Sequence, residues 1–123
     1  MNYICCRIDG VPYCRNKSRG NVHRPTEWTR RVVEQTKDLP KVTNACVLRV
    51  TFLLPKDKFP ADLKYGPDLD NLLKRFLDAL AQTVFSESKG KDSCIISLSA
   101  TKTKVEFEAE AGALLEVVPV IVA

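Results

Sequence analysis

The spacing of apolar residues divides the chain into segments of two periods. Tyr3 to Ile8 is a short apolar-rich run that predicts a first strand. Pro25-Thr26-Glu27-Trp28 opens a helix expected to reach about Asp38, with Pro40 stopping it. From Cys46 to Leu54, Val47, Arg49 and Thr51 alternate with Leu48, Val50 and Phe52, a β-branched strand closed by Pro55. Lys56 to Pro67 is polar and broken by Pro60, Gly66 and Pro67, so a loop is expected. Leu69, Leu72, Leu73, Phe76, Leu77, Leu80 and Val84 then follow a helical stripe, with Asp68 at the N-cap position. After a polar turn at Ser86 to Lys91, alternation returns. Ile95, Ser97, Ser99 and Thr101 oppose Ile96, Leu98 and Ala100, while Val105, Phe107 and Ala109 oppose three glutamates, as in a half-exposed edge strand. Leu114 to Val122, interrupted by Pro119, reads as a last strand, also at an edge.

Five strand segments and two main helices predict an α+β, or mixed α/β, fold around a small mixed sheet of four to five strands. At 123 residues, one domain over 1–123 is expected. Composition changes this picture little: 45% hydrophobic and 28% charged residues exclude a disordered or collagen-like chain. No apolar run approaches the ~20 residues of a membrane span. The apolar start before Arg7 is too short for a signal peptide and lacks its basic residues, so a soluble cytoplasmic protein is expected. Five cysteines without a CxxC spacing, beside the single His23, give poor support for zinc. Most of them are expected to act as small buried hydrophobes.

Charge is distributed unevenly. Residues 1–60 hold twelve Lys/Arg against five Asp/Glu, a balance of +7, and the remainder holds seven against ten, a balance of −3. The excess concentrates in a Gly-, Asn- and Ser-containing loop with Arg15, Lys17, Arg19 and Arg24, continuing to Arg30 and Arg31. Such a loop suits either a phosphate backbone, where each neutralised phosphate releases a counterion, or plain solvation.

The segment Pro67-Asp68-Leu69-Asp70-Asn71-Leu72-Leu73-Lys74 is the most informative. It places Asp68 and Asp70 at a helix start and Lys74 one turn beyond Asp70, with Asp92 following after the polar turn. Three converging carboxylates repel one another unless a divalent cation lies between them. Magnesium, which takes hard oxygen ligands, suits such a set and can support phosphodiester hydrolysis. The bland alternatives are an N-cap at Asp68, a solvated ion-pair ladder through Asp70, Lys74 and Asp78, and a loop end at Asp92.

This order of parts resembles the RusA family of Holliday junction resolvases. The likeness lies in Asp68-Leu69-Asp70-Asn71-Leu72-Leu73-Lys74, Asp78-Ala79-Leu80 and a downstream Asp92 entering a strand, preceded by a strand, a basic loop, a helix and a long second strand. The resemblance implies that Asp68, Asp70 and Asp92 hold Mg²⁺, with Mn²⁺ able to substitute, and that Lys74 is the catalytic lysine. It also implies a homodimer that nicks two strands of a four-way junction. Lys91 stands where relatives often carry a second acidic residue.

Distance restricts how the three aspartates meet. A helix from Leu69 to Val84 is about 24 Å long, and Phe85 to Asp92 spans at most ~26–29 Å. Either the helix ends near Ala81, or the connection runs back almost straight, or Asp92 reaches the other subunit's pair. The first is expected, with all three carboxylates close together in one chain. The leading expectation is therefore a Mg²⁺-dependent endodeoxyribonuclease acting on branched DNA, with Arg15, Lys17, Arg19, Arg24 and Arg31 on phosphates. Tyr65 is expected on the core, with stacking on an unpaired base as its alternative, and Trp28 is expected to pack the first helix onto the sheet. A non-catalytic protein that binds branched or single-stranded DNA is the second reading, and a small homodimeric scaffold the third.

Overall fold

Hydrophobic alternation and helical stripes resolve into four strands and two main helices. The computed structural model describes residues 3–13, 24–56 and 65–120, with the backbone alone at 24–26. In chain order the elements are β1 (Ile4–Asp9), α1 (Arg24–Thr36), β2 (Cys46–Pro55), α2 (Leu69–Leu80), β3 (Ile95–Val105) and β4 (Gly112–Pro119). The strands form one mixed sheet in the order β1-β4-β2-β3. β4 runs antiparallel to both β1 and β2, whereas β2 and β3 are parallel and joined through α2. The fold is α+β, as the periodicities predict.

Register explains which face is wet. Ile8 lies beside Ala113, and Ala113 beside Phe52; Ile4 lies beside Val117, and Val117 beside Leu48. All six are buried under the helices. The alternate row, Cys5, Glu116, Arg49 and Ser99, points to the open face. There Glu116 accepts a hydrogen bond from the Tyr3 hydroxyl (2.8 Å) and sits 3.8 Å from Arg49. Small Ala113 next to large Phe52 is the size alternation that fills a core without voids.

An aromatic cluster joins the helices to the sheet. Phe76 of α2 stacks on Trp28 of α1 (6.4 Å between centroids) and meets Phe52 edge-on at 5.5 Å. Trp28 packs the first helix as its position predicts. Further along, the Thr36 hydroxyl donates to the Val32 carbonyl (2.7 Å). Its single proton is thereby used, so the Thr83 hydroxyl donates to it across 2.7 Å. With Trp28 beside Phe76 and Thr36 beside Thr83, α1 and α2 run side by side in the same direction.

Two strand expectations are corrected. Val105 to Ala109 is not a separate strand. β3 continues through Val105, and the chain then turns at Glu106 and Phe107 into a 3-10 turn, Glu108–Glu110. Glu110 accepts the Phe107 N–H with its own side chain (3.0 Å), and this local bond replaces a ladder bond. The last strand is not an edge either. β4 lies between β1 and β2, and Pro119 is tolerated because it is the final paired residue, opposite Cys46. The edges are β1 and β3. Among the cysteines, Cys46 is buried, Cys6 and Cys94 are half-buried, Cys5 is exposed, and Cys14 lies outside the described residues.

Candidate metal and nucleic-acid site

α2 forms because Leu72, Phe76, Ala79 and Leu80 bury one stripe while Asp70, Asn71, Lys74, Arg75 and Asp78 stay outside. Its first turn presents the predicted carboxylates. Asp68 occupies the N-cap position with extended backbone (φ −59°, ψ 135°), but its side chain makes no capping hydrogen bond. Its main-chain carbonyl accepts from Leu72 N–H (3.0 Å), and among the described residues its carboxylate accepts a hydrogen bond from Asn71 Nδ2 alone, at 3.5 Å. Asp70 accepts the Asn71 N–H (3.0 Å) and is otherwise open to solvent. Lys74 is exposed on the same helix, and among the described residues it has no ion-pair partner. The capping role considered for Asp68 is therefore not its role here. Two hard-oxygen donors with spare lone pairs form a set that suits Mg²⁺.

Two lysines that sequence reasoning passed over position this end. Lys102 Nζ donates to the Pro67 carbonyl (2.8 Å), and Lys104 Nζ lies 5.6 Å above the Tyr65 ring. Together they tie the approach to α2 onto the far end of β3. Alternation had the signal: Lys102 and Lys104 share one face of a strand that sequence reasoning ended at Thr101. Tyr65 itself is 68% exposed, not laid on the core as expected.

Asp92 stands elsewhere. The helix ends at Leu80 with Ala81 as its C-cap, close to the expected point, yet the three carboxylates do not gather in one chain. Among the described residues no group of three or more His, Cys, Asp or Glu is arranged to hold a metal. The reason is topological. Parallel β2 and β3 start together, Cys46 opposite Ile95, so α2 must run back from the strands' C-terminal end to their N-terminal end. Asp92 precedes Ile95 in a 3-10 turn, Lys91–Cys94, and shares a shallow hollow with Leu77, Ile96 and Leu98. Pro67, next to Asp68, is held at Lys102, seven residues or about 23 Å further along β3. Residues 81–90 do not span that length. They fold onto α1, with Thr83, Val84 and Phe85 buried, Val42 N–H bonded to the Val84 carbonyl (2.8 Å) and Lys41 Nζ to the Thr83 carbonyl (2.8 Å).

Of the predicted phosphate contacts, Arg15, Lys17 and Arg19 lie outside the described residues, as does the side chain of Arg24. Arg31 is exposed, lies 3.8 Å from Glu27, and lines a cavity of about 370 Å³ with Asp9, Gly10 and Trp28. Because α1 runs alongside α2, it begins beside the first turns of α2.

The fold defines a class, an α+β protein with two helices on one face of a four-stranded mixed sheet and a paired-carboxylate helix start. The family model for Endodeoxyribonuclease RusA matches residues 21–113, which takes in both helices, β2, β3 and all four acidic and basic site candidates on and after α2. The chain belongs to the RusA endodeoxyribonuclease family. A comparison with curated proteins finds no match.

Proposed function

We propose that this protein is a Mg²⁺-dependent, structure-selective endodeoxyribonuclease that resolves four-way DNA junctions in recombination and repair. In this reading it acts in the cytoplasm as a homodimer. Beyond family membership, one observation supports the reading most. The start of α2 presents Asp68 and Asp70 with side chains that make no capping hydrogen bond, and Lys74 one turn away on the same helix. Asp68, Asp70 and Asp92 are the metal ligands, and Mn²⁺ substitutes. When bound, the ion lowers the pKa of water and stabilises the departing oxygen of a phosphodiester. Lys74 offsets negative charge building on the phosphate. Arg15, Lys17, Arg19, Arg24 and Arg31 bind the arms of the junction, which makes affinity fall steeply with salt. Tyr65, exposed next to the carboxylates, offers a ring on which an unpaired base can stack.

A second reading, binding of branched or single-stranded DNA without cleavage, is favoured by the separation of Asp92 from the other two aspartates within one chain. A synthetic four-way junction, incubated with Mg²⁺ or EDTA, separates the two. Paired nicks that need Mg²⁺ and disappear in Asp70→Asn support the enzyme; tight binding with no nicking supports the binder.

A further inference from the structure

Lys102 stands where the alternation of β3 calls for an apolar side chain. In the parallel register Ala100 lies beside Val50, Lys102 beside Phe52 and Lys104 beside Leu54, and all three β2 partners are buried on the face that carries the helices. Residues two apart share a face, so Lys102 leaves the strand on the helix side. An ammonium group there is unfavourable unless it is hydrogen-bonded or its stem carries it to water. Lys102 is half-buried and has no ion-pair partner among the described residues. One of its donors goes instead to the Pro67 carbonyl, 2.8 Å away. Pro67 immediately precedes Asp68, and its ring already fixes φ, so a hold on its carbonyl fixes the peptide plane that leads into Asp68. On the other side the Asp68 carbonyl is held by the Leu72 N–H at 3.0 Å. Between these two fixed planes Asp68 has φ −59° and ψ 135°, and its carboxylate makes no capping bond. An aspartate in this position ordinarily takes the second or third N–H of the helix. Here the Asn71 N–H is bonded to Asp70 (3.0 Å), and the Asp70 N–H is the one that a released Asp68 would take.

We propose that Lys102 is a positioning residue: by holding the Pro67 carbonyl it keeps the Asp68 carboxylate off the helix N-terminus and so leaves it available to a divalent cation. For the use made of Asp68 the proposal rests on the nuclease reading above; the hold itself rests on the geometry of residues 67, 68 and 102 alone. Capping and metal binding compete for the same two oxygens, because lone pairs bonded to backbone N–H groups are lost to a cation. Lys102 decides that competition from a neighbouring strand. Its charge rests on a carbonyl oxygen and not on the carboxylate, so it positions Asp68 without neutralising it. A methionine of similar length would suit this inward position better by packing alone, and a lysine that breaks the local pattern is expected where function requires it.

Two measurements on the full chain test it. The first is urea unfolding in EDTA, run as a double-mutant cycle. Asp68→Ala is expected to raise the unfolding constant only slightly in the wild-type background. In Lys102→Met, where the released carboxylate caps the helix, the same substitution is expected to raise it about fivefold. Equal changes in the two backgrounds overturn the hold on Asp68. The second is Mn²⁺ titration by calorimetry beside junction nicking. Lys102→Met is expected to weaken Mn²⁺ binding by about 10–100-fold, yet to nick at the wild-type rate once Mn²⁺ is saturating. Lys102→Arg, which keeps a donor for the carbonyl, is expected to restore most of the affinity. Wild-type Mn²⁺ affinity in Lys102→Met overturns the positioning role. So does a nicking rate that stays low at saturating Mn²⁺, which would make Lys102 a group that meets the phosphate. Lys102→Ala replaces Lys102→Met in both measurements if the methionine variant does not fold. Should wild type neither take up Mn²⁺ nor cut, the nuclease reading falls, and the unfolding cycle alone upholds or overturns the hold of Lys102 on Asp68.

Discussion

The two ends of α2 are built for different purposes. At the C-terminal end, the chain leaves the helix into a clamp: Val84 and Phe85 are fully buried, Thr83 bonds Thr36, and Lys41 and Val42 close over the turn. At the N-terminal end, Asp68 and Asp70 are exposed, Asp68 does not cap, and two lysines on a neighbouring strand hold the approach instead. Packing is thus concentrated at one end, while at the other the two carboxylates have no ion-pair partner among the described residues. The nuclease proposed above gives that difference a use, because a carboxylate that is to meet metal and phosphate cannot also be saturated by its own fold.

Substitutions that separate stability from activity sharpen this contrast. The largest expected effect on activity comes from Asp70→Asn: junction nicking falls by about 10²–10³-fold, while the thermal midpoint stays within a degree or two of wild type. Scanning calorimetry beside the cleavage assay checks both halves. The largest effect on stability comes from the opposite end. Phe85→Ala empties a fully buried ring position and is expected to cost about 3–5 kcal/mol in urea unfolding. Thr83→Val keeps the volume but removes the donor to Thr36, for a loss of about 0.5–1.5 kcal/mol by the same measurement. Asp68→Ala should cost less than the ~1 kcal/mol usual for an N-cap, because no capping bond exists to lose. A loss well above that value would show that Asp68 serves the helix after all.

The packed end also carries a pH signature. Cys46 opens β2 opposite Ile95, and burial, with the neighbouring Cys94 adding to it, pushes its thiol from 9.0 up to about 12. A raised folded-state value means that the native state keeps a proton the unfolded chain gives up. The stabilisation is complete below about pH 9 and is lost as pH rises from there toward 12. Urea midpoints taken from pH 8 to 10.5 are therefore expected to fall, and to fall less in Cys46→Ala. An unchanged slope in that variant would remove Cys46 as the cause.

Much of this protein was legible before any coordinates. The stripe Leu72-Phe76-Leu80 and the alternation through β2 are local patterns, and local patterns survive folding when packing agrees with them. The acidic start of α2 was equally readable, since paired aspartates ahead of an amphipathic run stand out by residue type alone. The errors came where sequence carries no sign of neighbours. Glutamates alternating with Val105, Phe107 and Ala109 imitate an edge strand, and Pro119 suggests an edge to any reader who does not know that it is the last paired residue of β4. Lys102 and Lys104 were overlooked because only the fold brings Pro67 and Tyr65 to them.

By itself, then, the chain determined its α+β character, the extent of its helices, the carboxylates that open α2 and the family to which it belongs, because periodicity and residue type act over a few neighbouring positions. Only the tertiary structure decided that β4 is central, that the connection after α2 folds onto α1, and that Asp92 lies at the opposite end of the strand from Asp68 and Asp70. Parallel pairing of β2 with β3 obliges the helix between them to run the length of the sheet, and that constraint belongs to strand direction, which no local pattern of residues encodes.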